Sequence, residues 1–276
     1  MNTASVGFHC PQCAHEGRQK VYTARDLRRQ ADPIVTKVLV GVNVVVFMLT
    51  ALRGGTLLTL GQESLWRFAT LGFWGWDPAD PLAGPIGVDT GEWYRLVTGG
   101  FLHANLIHIG FNMLLLYTLG QVLEPAFGRL RFGLIYAVSL LAGSFGAILV
   151  DPSAFTVGAS GAVFGLMGTM VVAQRASGID VWRSGIGGLV AVNLLLTFTI
   201  SGISIGGHLG GLVGGALAAV CLVELPSRLS TNRRDGLLLG TFLVVVLGVA
   251  CVIGADWAAS TWSDPLFTDA VFRALD

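Results

Sequence analysis

Charged residues are scarce in this chain of 276 residues, at 12% of the sequence, which is about half the share that soluble proteins carry. The 17 basic and 17 acidic side chains cancel to a formal net charge of zero, and no long basic stretch occurs. Four cysteines are too few for a disulfide scaffold of this length. These deficits exclude a soluble globular enzyme, an intrinsically disordered chain and a protein that binds nucleic acid.

Apolar residues take the place of the missing charge: 53% of the chain is hydrophobic and the mean hydropathy is +0.69. A helix needs about 20 mainly apolar residues to cross a bilayer. We therefore predict an all-α polytopic membrane protein in a lipid bilayer, with a tight hairpin between the fifth and sixth spans at Ser201-Gly202. The seven predicted spans are 33–52, 104–123, 131–150, 158–175, 184–202, 204–223 and 236–255.

The basic residues are unevenly divided between the loops, and such a bias sets the orientation of a membrane protein. If the N-terminal segment is cytoplasmic, thirteen of the 17 basic residues lie inside. The acidic C-terminal tail then lies outside. No signal-peptide pattern precedes the first span, which we interpret as an anchor. We predict a multi-pass plasma-membrane protein with a cytoplasmic N-terminus and an external C-terminus.

Five polar side chains in or beside the predicted spans are candidates for function, because an uncompensated polar group in lipid is costly. His103, His108 and Asn112 lie at the start of the second span, and the last two share a helix face because they are four residues apart. Ser160 opens the fourth span and His208 lies near the start of the sixth. The predicted topology puts all five at one depth in the outer half of the membrane.

Rows of glycine provide a way for these groups to meet. Small residues at every fourth position allow helix backbones to approach closely in lipid. The rows are Gly207, Gly211 and Gly215; Gly206, Gly210 and Gly214; and Gly161, Gly165 and Gly168. One interpretation is that the glycines only pack helices and that His208 is a hydrogen-bonded core histidine. The other is that they bring Ser160 and His208 within reach of each other.

The second interpretation has a definite chemistry. A neutral His208 can remove the proton of Ser160 and make it a nucleophile. Free backbone N–H groups at the start of the fourth helix can hold an oxyanion, and Asn112 and His108 can donate to the same oxygen. Since no carboxylate lies at this depth to orient His208, a dyad is expected rather than a triad. The reaction is acyl transfer, most simply peptide hydrolysis.

These motifs resemble those of the rhomboid family of intramembrane serine proteases. The resemblance rests on Gly158-Ala159-Ser160-Gly161, on His208 with Gly210-Gly211, on the His103, His108 and Asn112 set, and on Glu92-Trp93-Tyr94-Arg95. It covers roughly residues 90–225. It implies a six-helix catalytic core at 33–225, preceded by a cytoplasmic segment at 1–32. A seventh span and an acidic tail follow at 226–276.

The resemblance also assigns roles. Ser160 resembles the nucleophile, His208 the general base, and Asn112 and His108 the oxyanion donors. Trp93 and Arg95 belong to a structural motif of the first loop, Glu124 to a structural hydrogen-bonding acid, and His103 to loop support. Phe164 departs from the tyrosine that packs on the histidine in some members, although a phenyl ring can still stack. The implied substrates are transmembrane proteins, and catalysis needs no cofactor.

A Cys-x2-Cys pair, Cys10 and Cys13, lies in the N-terminal segment between His9 and His15. Such a pair is half of a zinc site, and Cys10, Cys13 and His15 are candidate ligands. The second cysteine pair of a usual zinc site is missing, because Cys221 and Cys251 lie in spans. An unliganded reduced pair and a redox or intermolecular role are the alternatives.

Two other functions compete with proteolysis. A non-enzymatic rhomboid-like protein would bind transmembrane clients, and loss of the serine or the histidine would mark it; both residues are present. A transporter would carry ionisable residues along a path through the membrane or paired broken helices. Here the polar groups stop in the outer half.

Overall fold

A computed structural model describes residues 2–3, 8–9, 32–54, 56–72, 84–229 and 232–263. The chain divides into two compact units, Met1–Asp32 and Pro33–Asp276. In the first unit, strand β1 (Asn2–Thr3) pairs antiparallel with β2 (Phe8–His9). The candidate zinc ligands Cys10, Cys13 and His15, and the tail at 264–276, lie outside the described residues.

Helices make up the second unit. In chain order they are α1 (Ile34–Leu52), α2 (Gln62–Phe68), α3 (Arg95–Thr98), α4 (Leu106–Phe127), α5 (Arg129–Val150), α6 (Ser160–Ala176), α7 (Ile186–Thr199), α8 (Ile205–Ala219), α9 (Leu225–Leu229) and α10 (Arg233–Ser263). Short 3-10 turns occupy Val88–Thr90 and Gly99–Phe101, and a π turn at Val220–Glu224 joins α8 to α9. The predicted all-α class is confirmed.

A helix lies at each of the seven predicted spans, but they differ in length. Five stretches of the described chain are long and apolar enough to cross a membrane, and they belong to α1, α4, α5, α8 and α10. The predicted spans 158–175 and 184–202 are shorter helices, α6 with 17 residues and α7 with 14. At a rise of about 1.5 Å per residue, α7 is roughly 21 Å long. The predicted length of the fifth span was therefore wrong.

Helix α8 lies between α6 and α5. Its glycines allow the backbones of these helices to approach closely. A Cβ atom on Gly211 would collide with the carbonyl oxygen of Gly161, and one on Gly215 with that of Gly165. The hydroxyl of Thr169 lies 2.9 Å from the carbonyl oxygens of both Gly165 and Gly215. Gly211 therefore faces α6, the helix at the predicted fourth span.

The other glycine row of α8 faces α5 in the same way. A Cβ on Gly206 would meet the carbonyl oxygen of Gly146, and one on Gly210 that of Ala142. Because both faces of α8 have backbone against backbone, the helix is held within a narrow range of positions. The loop before α8 turns at Gly202, at φ +82°, which gives the predicted hairpin.

Helix α10 packs against α5 and against the loop that precedes α3. Alanines at its far end, Ala255, Ala258 and Ala259, form a buried cluster with Val88, Leu96 and Ile148. The indole N–H of Trp93 donates to Asp256 over 3.1 Å. The loop and the last helix are thus joined by apolar and polar contacts.

At its opposite end the bundle depends on a buried carboxylate. Glu124, near the end of α4, accepts hydrogen bonds from the backbone N–H groups of Val35 and Thr36 at 2.9 and 2.8 Å. It also accepts one from the Thr36 hydroxyl at 2.8 Å. Pro33, the N-cap of α1, provides no side-chain acceptor. Glu124 therefore completes the first turn of α1, the structural role that the resemblance implied.

Candidate active site

A cavity of about 830 Å³ lies between α4, α5, α6, α7 and α8. All four predicted site residues line it: Ser160, His208, Asn112 and His108. They come from three helices that are far apart in sequence, and the close glycine packing of α8 against α6 brings two of these helices together. The four side chains therefore line one cavity, and the roles predicted for them stay predictions.

Ser160 is the first residue of α6, and its position depends on the glycine before it. Gly158 has φ +121°, and a Cβ there would lie 2.7 Å from both Cε1 and Nε2 of His108. Only glycine fits, because the conformation and the neighbouring ring both forbid a side chain. The N-cap residue Ala159 provides no side-chain acceptor, so backbone N–H groups at this end are free to bind an anion.

The protonation pattern of His108 follows from its contacts. Its Nδ1 accepts a hydrogen bond from the backbone N–H of Ala104 at 3.3 Å. A neutral ring then has its proton on Nε2, the atom beside Gly158. Asn112, which is 5% exposed, donates one amide hydrogen to the carbonyl oxygen of His108 at 3.0 Å. Its second amide hydrogen remains a donor, so both side chains can present N–H groups.

His208 is 9% exposed, and its ring stacks on Phe164 with 4.1 Å between centroids and 19° between planes. The predicted phenyl stacking is confirmed. Among the described residues, no hydrogen bond within 3.5 Å joins Ser160 to His208. Catalytic hydrogen bonds often tighten only when substrate is bound. Ser160 and His208 thus line the same cavity without a direct hydrogen bond between their side chains.

Sequence reasoning missed one side chain of this site. The hydroxyl of Thr197, on α7, lies 2.7 Å from Nδ1 of His208 and is buried. The carbonyl oxygen of Asn193, one turn earlier on α7, accepts from the same hydroxyl at 2.8 Å. The signal available in the sequence was the spacing of four residues, which puts Asn193 and Thr197 on one face of α7.

His103 was predicted at the start of the second span, and it lies in the loop before α4, whose N-cap is Asn105. The Asn105 side chain accepts from the backbone N–H of His108 at 2.9 Å, so the helix begins there. His103 is fully buried, and its Nε2 accepts from the backbone N–H of Ala159 at 3.4 Å. It thus supports the loop before Ser160, as the resemblance implied.

Comparison with known proteins shows the family of this chain. The family definition of the rhomboid domain matches residues 90–225. The rhomboid protein YdcA of Bacillus subtilis is 37% identical over 147 residues, which cover 52% of this chain and 74% of YdcA. The chain belongs to the rhomboid family.

Two other rhomboids extend the comparison. Rhomboid protease GluP of Bacillus subtilis is 31% identical over 220 residues, 79% of this chain and 39% of GluP. RHOMBOID-like protein 4 of Arabidopsis thaliana is 32% identical over 150 residues, 52% of this chain and 38% of the relative. The chain therefore spans well under half the length of either.

The loop before α3 of this rhomboid is organised by a partly buried ion pair. Arg95 is 1% exposed and its Nε lies 2.7 Å from a carboxylate oxygen of Glu92. Its Nη1 donates to the carbonyl oxygen of Ala69 at 3.3 Å, and its own carbonyl oxygen accepts from Thr70 at 3.0 Å. These contacts tie the loop to the segment after α2, which is a structural role.

Within the described residues of this rhomboid, no three His, Cys, Asp or Glu side chains are grouped to hold a metal ion. The candidate ligands Cys10, Cys13 and His15 are not among those residues, so zinc binding there stays a prediction. The site groups that the structure does describe are hydroxyl, imidazole and amide, the donors and acceptors of acyl-transfer chemistry.

Proposed function

We propose that this rhomboid is an intramembrane serine endopeptidase that hydrolyses peptide bonds in or near transmembrane segments of membrane proteins. The observation that carries the proposal is the position of Ser160 and His208 on one cavity, at a free helix N-terminus. A nucleophile, a base and anion-binding N–H groups are the parts that acyl transfer requires. The names of GluP and of similar relatives support the same activity.

The proposed reaction begins when His208 takes the proton of Ser160 and the serine oxygen attacks the scissile carbonyl carbon. The resulting oxyanion is held by the Ser160 N–H, by Asn112 and by Nε2–H of His108. His208 then passes its proton to the leaving amine and the C–N bond breaks, which leaves an acyl-enzyme. Water, activated by the same base, hydrolyses that ester and restores Ser160.

The proposed setting is the plasma membrane, with the N-terminus in the cytoplasm and the C-terminus outside. The arrangement is a cytoplasmic segment at 1–32, a catalytic core at 33–225 and an additional span at 226–276. The bias of basic residues toward one side supports the orientation. Catalysis by these groups involves no cofactor.

The test is labelling with a fluorophosphonate and cleavage of a transmembrane test substrate in detergent. We expect Ser160→Ala and His208→Ala each to abolish cleavage while the protein stays folded. Asn112→Ala is expected to be milder than loss of the dyad, because one oxyanion donor contributes on the order of 10²- to 10³-fold in rate. Ser201→Ala is the matched control, since Ser201 lines the same cavity.

Fluorophosphonate labelling that persists in Ser160→Ala would contradict the nucleophile assignment. If His208→Ala kept more than about a tenth of the wild-type rate, His208 would not be the base. An inactive wild type that still captured transmembrane segments would instead support the client-binding alternative.

A further inference from the structure

We propose that Thr197 is a positioning residue that sets which ring nitrogen of His208 carries the proton. This inference rests on the proposed function, because it matters only if His208 is the base. It supplies the orienting partner for which the sequence offers no carboxylate. The partner is a hydroxyl on a different helix from the histidine.

The direction of the hydrogen bonds follows from counting protons. Thr197 Oγ1 lies 2.8 Å from the carbonyl oxygen of Asn193 and 2.7 Å from Nδ1 of His208. A hydroxyl has one proton, and a carbonyl oxygen only accepts. Both contacts are hydrogen bonds only if the hydroxyl donates to Asn193 and accepts from Nδ1–H. In this arrangement the neutral imidazole has its proton on Nδ1.

That tautomer is the one a general base needs. With Nδ1 protonated, the lone pair is on Nε2, the nitrogen on the far side of the ring from Thr197. In serine hydrolases a carboxylate commonly holds the imidazole in this state. Here two neutral groups replace the carboxylate, because stacking on Phe164 sets the ring plane and Thr197 sets the tautomer.

The same contact links the base to the position of α7. The structure describes all fourteen residues of α7, and three of them are buried: Ile186, Gly187 and Thr197. Ile186 and Gly187 belong to the first turn of α7. Thr197 is therefore the buried residue at the C-terminal end of this helix. Hydrogen bonds in proteins typically have donor–acceptor distances of about 2.7–3.2 Å, so a shift of this end by about 1 Å breaks the 2.7 Å contact with Nδ1. The tautomer of His208 then depends on the position of the C-terminal end of α7 relative to α8.

The experiment compares three variants in detergent with the same transmembrane substrate. Thr197→Val keeps the shape of the side chain and removes the hydroxyl, and Thr197→Ser restores the hydroxyl. Thr199→Val is the matched control, because Thr199 lies on the same helix and makes the same type of bond, to Leu195, while it is exposed. For each variant kcat, KM and thermal stability are measured.

We expect Thr197→Val to lower kcat by about tenfold, the size of one lost hydrogen bond, with KM unchanged. Thr197→Ser and Thr199→Val should keep kcat within about twofold of wild type. A Thr197→Val enzyme with wild-type kcat, or one that serine does not rescue, would overturn the inference. An equal loss in Thr199→Val would show a general effect on α7 and would overturn it as well.

A spectroscopic measurement tests the same point in the unaltered protein. In protein with ¹⁵N-labelled histidine, the His208 signals, assigned by their loss in His208→Ala, should show a protonated Nδ1 and a bare Nε2. A wild type with the proton on Nε2 would overturn the inference even if Thr197→Val did not fold. A wild type that cleaves nothing would defeat the proposed function instead, and the tautomer result would still stand.

Discussion

Asp89, in the loop before α3, is a carboxyl group held partly away from water. Burial raises its pKa to about 6, and the nearby Asp256 adds to the rise, although a hydrogen bond from Ser263 opposes it. One carboxyl oxygen, Oδ1, is buried without a hydrogen-bond partner. The folded protein therefore binds a proton at Asp89 more tightly than the unfolded chain does.

The expected consequence is a loss of stability as the pH rises. The contribution of protonated Asp89 is fully present below the unfolded value of 3.8 and disappears as the pH passes through about 6. Thermal unfolding of wild type and Asp89→Asn should be compared at pH 5 and pH 7. We expect the drop between these pH values to be smaller in the variant, and an identical drop in both would contradict the assignment.

Side chains within one motif were predictable from the sequence, and contacts between helices were less so. Ser160 and His208 stand in short glycine-flanked motifs, so their type and neighbours are sufficient to select them. The contact of Thr197 with His208 depends on the distance between α7 and α8, which no local pattern encodes. The expectation that His208 lacks an orienting partner considered carboxylates alone and overlooked hydroxyls.

At the scale of the helix, the close packing of α8 against α6 predicts different effects for a glycine substitution and for loss of the nucleophile. Gly211→Ala would drive a Cβ atom into the carbonyl oxygen of Gly161 and separate α8 from α6. A misplacement of about 1 Å can cost roughly 10²-fold in rate. We expect this variant to lose activity and thermal stability together, whereas Ser160→Ala loses activity alone.

Gly133→Ala, on α5, is the control for that substitution. Nothing lies within 4 Å of a Cβ built at Gly133. Alanine also lowers the entropy of the unfolded chain and favours a helix. The control should therefore keep its activity and unfold at the same or a slightly higher temperature. If Gly211→Ala behaved in the same way, the close approach of α6 and α8 would be refuted.

Helix existence was predictable from apolar runs, while helix ends were less so. The predicted fifth span, 184–202, includes the flanking glycines Gly185 and Gly202. Both adopt positive φ values, +88° and +82°, and both lie outside α7. A hydropathy window counts glycine as neutral and continues through it, yet α7 begins only after the left-handed Gly185 and ends before Ile200, whose backbone is extended. The overestimated length has this cause.

For the whole molecule, the proposed topology places two described loops on opposite sides of the membrane. In a variant without native cysteines, Ser153→Cys should react with an impermeant maleimide added outside intact cells. Asn232→Cys should react only after the cells are opened. Labelling of both positions from the same side would contradict the orientation, because α6, α7 and α8 must connect the two loops across the membrane.

The bond between α1 and Glu124 has a consequence for biosynthesis. The carboxylate that satisfies the first turn of α1 lies 88 residues after Thr36. At about 5 to 20 residues per second, the ribosome needs roughly 4 to 18 s to supply it. During that interval the nascent first span has unpaired amides at its start, which must remain at the water-exposed membrane surface. Glu124 then allows this end to pack against α4, so the first turn of α1 is completed only after α4 has been synthesised.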